Sequence, residues 1–150
     1  MSVVAGGCQC GAVRYTIAGA RPPVYVCHCR ECQKQSASAF GMSLPVAMEH
    51  FHVEGRLDSW ERDTARGTRL RCFFCPACGS RLYHQAVRTG AGVTVKAGSL
   101  DDTGWVTPDA HIWVSRRQSW VSLDPAIPAH ASQPDDMEGW RRGFTREGGR

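Results

Sequence analysis

The chain has 150 residues and a mass of 16.5 kDa, the size of one ordinary domain with no room for a second core of similar extent. Hydrophobic residues make up 42% and charged residues 21%, which excludes wholesale disorder and fibrous repeats. The net charge of +4 comes without a nucleic-acid reading motif, and no apolar run is long enough to span a bilayer, so neither nucleic acid nor membrane is an expected partner. The opening MSVVAGGCQCGAV lacks the basic stretch and long apolar core of a secretory signal, which leaves a cytoplasmic location as the expectation.

In chain order, the first signal is a C-x-C pair, Cys8 and Cys10. GAVRYTI (11 to 17) follows, alternating Val13, Tyr15 and Ile17 with Arg14 and Thr16, the period-two pattern of a half-buried strand. CHCREC then places Cys27, Cys29 and Cys32 within six residues, and CRECQKQSA (29 to 37) is the one convincing helical turn. FGMSL (40 to 44) alternates Phe40, Met42 and Leu44 as a further strand. Between Arg56 and Arg88, seven arginines stand against three acids, Asp58, Glu61 and Asp63, an excess equal to the net charge of the whole chain. That concentration suits a small anionic ligand or a solvated surface.

Within the arginine-rich stretch, RLRCFFC (69 to 75) has strand-like composition, and CFFCPAC supplies Cys72, Cys75 and Cys78. GVTVKAG (92 to 98) alternates Val93, Val95 and Ala97 with Thr94 and Lys96; AHIWV and SWVSL follow Pro108 and Gln118 as further strands. Asp101 and Asp102 read as a turn whose side chains bond their own backbone. From Pro128 onward the chain turns polar. Residues 1–128 are therefore expected to form a mainly β domain, and 129–150 a tail in which 135–144 can make a short helix anchored by Trp140.

Eight clustered cysteines in a reducing compartment favour metal over disulfides, because C-x-C and C-x-x-C spacings bring two thiolates from one tight turn to one ion. Zinc is the expected metal. Cys8 with Cys10 and Cys75 with Cys78 have the form of a structural site stapling two distant hairpins. Cys27, Cys29 and Cys32 supply three thiolates, one short of a tetrahedral set, as in sites that do chemistry. Cys72 could complete that second set, but on a regular strand it shares a face with Leu70 and Phe74, opposite Cys75, and a core thiol is the preferred reading. Thiolate-rich zinc is a poor Lewis acid towards water, so hydrolysis is disfavoured and capture of a substrate thiol is favoured.

GGCQCGAVRY, CHCRECQKQSASAF, FFCPACGSRLY, KAGSLDD and HIWVSRRQSWV together resemble the glutathione-dependent formaldehyde-activating enzyme family, which includes centromere protein V. The resemblance spans roughly residues 6 to 128, departing at Cys72 and Phe73 and after Pro128. It implies a β-tent fold, shared with type B methionine sulfoxide reductases, and two zinc ions per chain. Carried onto this sequence, Cys8, Cys10, Cys75 and Cys78 would hold a structural zinc and Cys27, Cys29 and Cys32 an active one. The implied reaction adds glutathione to formaldehyde, giving S-hydroxymethylglutathione, formally carbon–sulfur lyase chemistry.

The expected partners are therefore a small-molecule thiol and an electrophile. By the same analogy Arg30 and Lys34, or Arg69 and Arg71, are candidates to hold the anionic thiol, and Ser36 and Ser38 to donate to a developing alkoxide. Loop serines are more often structural. His28 lies between two ligands and should turn its ring away from the metal, into a supporting or solvent-facing role. His111 reads as a buried, satisfied histidine. Two other functions compete: a non-catalytic zinc-stabilised binding module, and methionine sulfoxide reduction, for which only Cys72 would remain as a thiol.

Overall fold

The computed structural model describes residues 2–137, 139 and 140. In chain order the described elements are β1 (Val3–Gly7), β2 (Arg14–Ala18), β3 (Tyr25–Cys27), α1 (Arg30–Ser36), β4 (Gly41–Ala47), β5 (Phe51–Glu54), β6 (Asp58–Asp63), β7 (Arg69–Phe74), β8 (Arg81–Ala86), β9 (Gly92–Lys96) and β10 (Ala110–Ile112). The protein is mainly β, and none of its described helices is long and apolar enough to cross a membrane. It divides into two compact units, one of Met1–Arg21 with Pro45–Trp105, the other of Pro22–Leu44 with Val106–Arg150.

In the first unit, β1, β2 and β5 form an antiparallel sheet, and β6 to β9 form an antiparallel meander. The alternation in β2 folds as its pattern dictates: Tyr15 and Ile17 are buried while Arg14 and Thr16 are exposed. Tyr15 packs on Phe51 at 5.6 Å between ring centroids, and Phe51 meets Tyr83 edge-on at 4.9 Å, so the aromatic rings tie the two sheets together. Gly55 leaves β5 with φ +107°, and a Cβ there would lie 2.3 Å from the Ala12 carbonyl oxygen. Only glycine serves both constraints.

Strand β6 is polar apart from the exposed Trp60, so no apolar alternation marks it in the sequence. It forms instead by pairing with β7. Glu61 accepts from Arg69 Nε at 2.7 Å and Arg71 Nη2 at 2.6 Å, and Asp63 accepts from Arg69 Nη1 at 3.0 Å. Arg69, then Arg71, holds the Glu61 carboxyl below its ordinary pKa. Arg69 and Arg71, candidates for holding an anionic substrate, are thus neutralised within the sheet.

In the second unit, β10 runs parallel to β3, and β3 runs antiparallel to β4. Tyr25, Cys27 and Ile112 are buried there, with Trp113, Met137 and Trp140 packed against them. Residues 129–132 run beside β10 and the turn after it: His111 N–H donates to Pro128 O, His130 N–H to His111 O, and Trp113 N–H to Ser132 O. Residues 137, 139 and 140 are helical; the rest of the helix expected over 135–144 lies outside the described residues, apart from the segment leading into it.

Several strand readings change on contact with the structure. SWVSL is not a strand; it passes from a turn into irregular backbone. In AHIWV the strand stops at Ile112, because Trp113 enters the left-handed region at φ 58°. Ser43 is buried at 2% exposure whereas Met42 is half-buried, and Thr94 is buried at 3%, so β4 and β9 are covered on both faces. Period-two alternation fails where both faces are covered.

Candidate metal centres

Two backbone knuckles of the same design build the four-cysteine group. In one, Cys8 N–H donates to Val13 O at 3.0 Å, Gly11 N–H donates to Cys8 O at 3.1 Å, and Gly11 takes φ +81°. In the other, Cys75 N–H donates to Ser80 O at 3.0 Å, Gly79 N–H donates to Cys75 O at 2.8 Å, and Gly79 takes φ +77°. The two are joined by Gln9 N–H donating to Ser80 Oγ at 3.0 Å. The register of β7 against β8 shifts between Phe73 and Phe74, a bulge just before Cys75 that re-aims the strand end.

The sulfurs converge. Cys10 Sγ lies 3.6 Å from Cys8 Sγ and 3.8 Å from Cys75 Sγ, and the four Sγ atoms all lie within 4.8 Å of one another. Four sulfurs at about 2.3 Å from a tetrahedral zinc would stand about 3.8 Å apart, so the donor set fits that ion. The environment prepares for charge: the Ser80 hydroxyl, 3.2 Å from Cys78 Sγ, and then the Ser80 and Cys10 N–H groups bring the Cys78 thiol down to about 5. For Cys10, the lowering effect of the Ala12 N–H is outweighed by Cys8, burial and the two distal cysteines, which raise it to about 11. The raised Cys10 is what crowding of neighbouring thiols produces, and a divalent ion would remove that conflict.

The three-cysteine group sits at the end of β3 and the start of α1. Cys27 closes the strand, buried; Cys29 is the N-cap of α1, its Sγ accepting from Cys32 N–H at 3.4 Å; and Cys32 lies in the first turn. Their Sγ atoms also lie within 4.8 Å of one another. The Cys27 thiol is pushed far up, first by Cys29 and Cys32 and then by burial, so this group too needs a cation before its sulfurs can all ionise. Gly41 keeps the approach open, since a Cβ there would stand 3.3 Å from Cys32 Cβ. Three donors of this softness suit zinc.

Beside this group lies a network in which His28 supports and His111 is buried and satisfied, as expected, while their pairing and the part of Gln33 were not foreseen. His28 is fully buried, its Nε2 3.0 Å from His111 Nδ1, and its Nδ1 has no described partner. We assign the shared proton to His28 Nε2, because the reverse tautomer would bury an N–H without an acceptor. Burial, with His111 and Arg117, lowers His28 to about 4, and burial lowers His111, so both rings are neutral at pH 7. The solvent-facing option for His28 is excluded. Gln33, 4% exposed, donates to His28 O at 2.8 Å and Arg116 O at 3.0 Å, and its Oε1 accepts from Arg30 Nη1 at 2.7 Å and Gln118 Nε2 at 3.4 Å. All four of its hydrogen-bonding positions are used.

Of the other candidates, Ser36 Oγ faces the carbonyls of Cys32, Gln33 and Phe40 at 2.8 to 3.3 Å, so its single proton is committed to the end of α1. Arg30, Lys34 and Ser38 line a pocket with Gln33 and Gln118. Cys72 is fully buried on β7. Asp101 pairs with Arg14, and Asp102 Oδ1 accepts from Gly104 N–H at 2.9 Å, so the two carboxylates have separate structural duties. The sequence pointed to a supporting His28 and a buried, satisfied His111 but not to their contact, which spans 83 residues.

Comparison with known proteins bears on the fold and the family. A crystal structure of a Rhodobacter sphaeroides protein, 20% identical, superposes with a TM-score of 0.52 over 69% of this chain and 91% of that one, which shows a shared fold. No curated protein matches the chain. The family model for the glutathione-dependent formaldehyde-activating enzyme matches residues 3–116, covering both cysteine groups, and the chain belongs to that family.

Proposed function

We propose that the protein joins a thiol to a small aldehyde through a new carbon–sulfur bond, with glutathione and formaldehyde as the pair that its family's description names. The observation that carries this reading is the unequal donor count, four sulfurs converging in one group and three in the other. On this reading both groups hold zinc, the first as a staple and the second as the active ion. Zinc held by Cys27, Cys29 and Cys32 would supply positive charge that stabilises a substrate thiolate at neutral pH.

The overall chemistry is an addition: the substrate sulfur bonds to the carbonyl carbon, the π pair of C=O moves to oxygen, and the thiol proton ends there. The protein's own residues supply the setting. Neutral His28 and His111 place no competing positive charge behind the thiolates, and Gln33 locks α1 against the segment at Arg116, fixing Cys29 and Cys32. The gathering of seven cysteines into two groups that could hold metal suits a reducing compartment such as the cytoplasm. The fully buried Cys72 does not suit methionine sulfoxide reduction, which needs an accessible thiol.

Native mass spectrometry of the zinc-loaded chain with glutathione tests the binding step, and NMR of labelled formaldehyde tests the rate of adduct formation. Two zinc ions with one retained glutathione, and faster adduct formation that Cys29→Ala abolishes, are expected. Adduct formation no faster than in buffer would reject the enzymatic reading.

A further inference from the structure

Strand β6 is the outermost strand of the meander. Its inner edge pairs with β7 along its whole length, from Asp58 opposite Phe74 to Asp63 opposite Arg69, and among the described residues no strand pairs with its outer edge. The pairing sorts its side chains by face. Ser59, Glu61 and Asp63 share the face on which Arg69 and Arg71 neutralise the two carboxylates, while Asp58, Trp60 and Arg62 share the other. Trp60 is 57% exposed there, and neither Asp58 nor Arg62 forms an ion pair among the described residues. Asp58 Oδ1 accepts from the adjacent Ser59 N–H at 3.1 Å, and Arg62 Nε has no hydrogen-bond partner among the described residues.

Charge on an open edge ordinarily repels a second strand. On β6 the free charges have opposite signs and flank a tryptophan: Asp58, Trp60 and Arg62 read negative, aromatic, positive. A second β6 added antiparallel about a two-fold axis normal to the sheet keeps every residue on its own face, so residues of one face meet only residues of that face. Centred on Trp60, this register sets Asp58 of each copy opposite Arg62 of the other, with the two indoles side by side between the pairs and no like charges opposed. Centred on Glu61 or Arg62, it would set like charges against each other at the axis. Cross-strand separations of about 5 Å bring each carboxylate within reach of its guanidinium.

We infer that the outer edge of β6 is a self-association surface, on which a second copy of this chain adds its own β6 antiparallel about Trp60. The partner follows from complementarity, because the pattern of Asp58, Trp60 and Arg62 matches itself when reversed, and an arbitrary strand would not match it. The pairs that Glu61 makes with Arg69 and Arg71 lie on the opposite face and are kept. A strand edge and three side chains from each copy make a small contact, so the dimer is concentration-dependent rather than permanent. It is independent of the thiol chemistry proposed above.

Sedimentation velocity of the zinc-loaded full chain over a rising concentration series tests this, and a shift from monomer to dimer is expected. Asp58→Arg and Arg62→Asp, made singly, each set like charges against each other at both pairs and should weaken the dimer roughly tenfold or more. Combined in one chain they restore opposite signs and should restore it. Mixing the two single-variant chains separates edge pairing from a general effect of charge: each alone should stay monomeric where the mixture forms a heterodimer, because the signs match only between different chains. Trp60→Lys, at an exposed position, puts two ammonium groups on the axis and should abolish the dimer without a change in circular dichroism. A chain that stays monomeric throughout the series overturns the proposal. So does a dimer that survives Trp60→Lys, ignores the single variants, or is not restored by combining or mixing them.

Discussion

The two cysteine groups use the same ligand atom on very different stretches of backbone. In the first, residues on two knuckles meet across 65 positions of sequence, so an ion there closes a long loop and removes much freedom from the unfolded chain. In the second, three sulfurs come from six consecutive residues, whose geometry is already set by the end of β3 and the first turn of α1. An ion there closes almost nothing. On the proposed reading the same chemistry would be a staple in one place and a site in the other, and the difference lies in the contour length between the cysteines.

Cys75→Ser should show the largest effect. It removes a fully buried ligand from the stapling group, and because ligation and folding are coupled the loss should reach roughly 5 kcal/mol or more. A thermal melt by circular dichroism together with a zinc count checks this; a near-normal melting temperature would mean the group is no staple. Cys29→Ala should have the opposite profile. Losing the N-cap contact costs about 1 kcal/mol, the zinc count falls from two to one, and adduct formation disappears.

Gln33→Leu probes what supports the second group without touching a ligand. It strips the donors from His28 O and Arg116 O, at about 2 kcal/mol, measurable by urea denaturation, and loosens Arg30. If stability is unchanged, the network does not fix α1. Glu61→Gln belongs to neither group and should have the smallest effect. Arg69 and Arg71 depress the Glu61 carboxyl in the folded protein, so its contribution is present above the unfolded value near 4.5 and is lost as pH falls through the folded one. The variant should be slightly less stable than the parent at about pH 7, with the gap closing in acid.

Legibility in the sequence followed the range of the interaction involved. The buried Val13, Tyr15 and Ile17, the helix at 30–36, and the partition of seven cysteines into four and three were all readable, because each depends on spacing within a few residues or on ligand arithmetic. Strand β6 was not, since its charges look like a loop until β7 supplies Arg69 and Arg71 opposite them. SWVSL misled for the converse reason: a strand needs a partner as well as suitable composition, and residues 119–123 pair with none.

What the sequence by itself determined is the donor chemistry: which sulfurs can share an ion, and that one set is a ligand short. Only the tertiary structure decided what surrounds them. It buried His28 against His111, used every hydrogen-bonding position of Gln33, committed Arg69 and Arg71 to Glu61 and Asp63, and brought Arg30 and Lys34 to the wall of one pocket. The reason is physical. Ligand spacing is a local property of one backbone turn, whereas burial, charge pairing and pocket formation depend on residues that meet only when distant strands and turns pack.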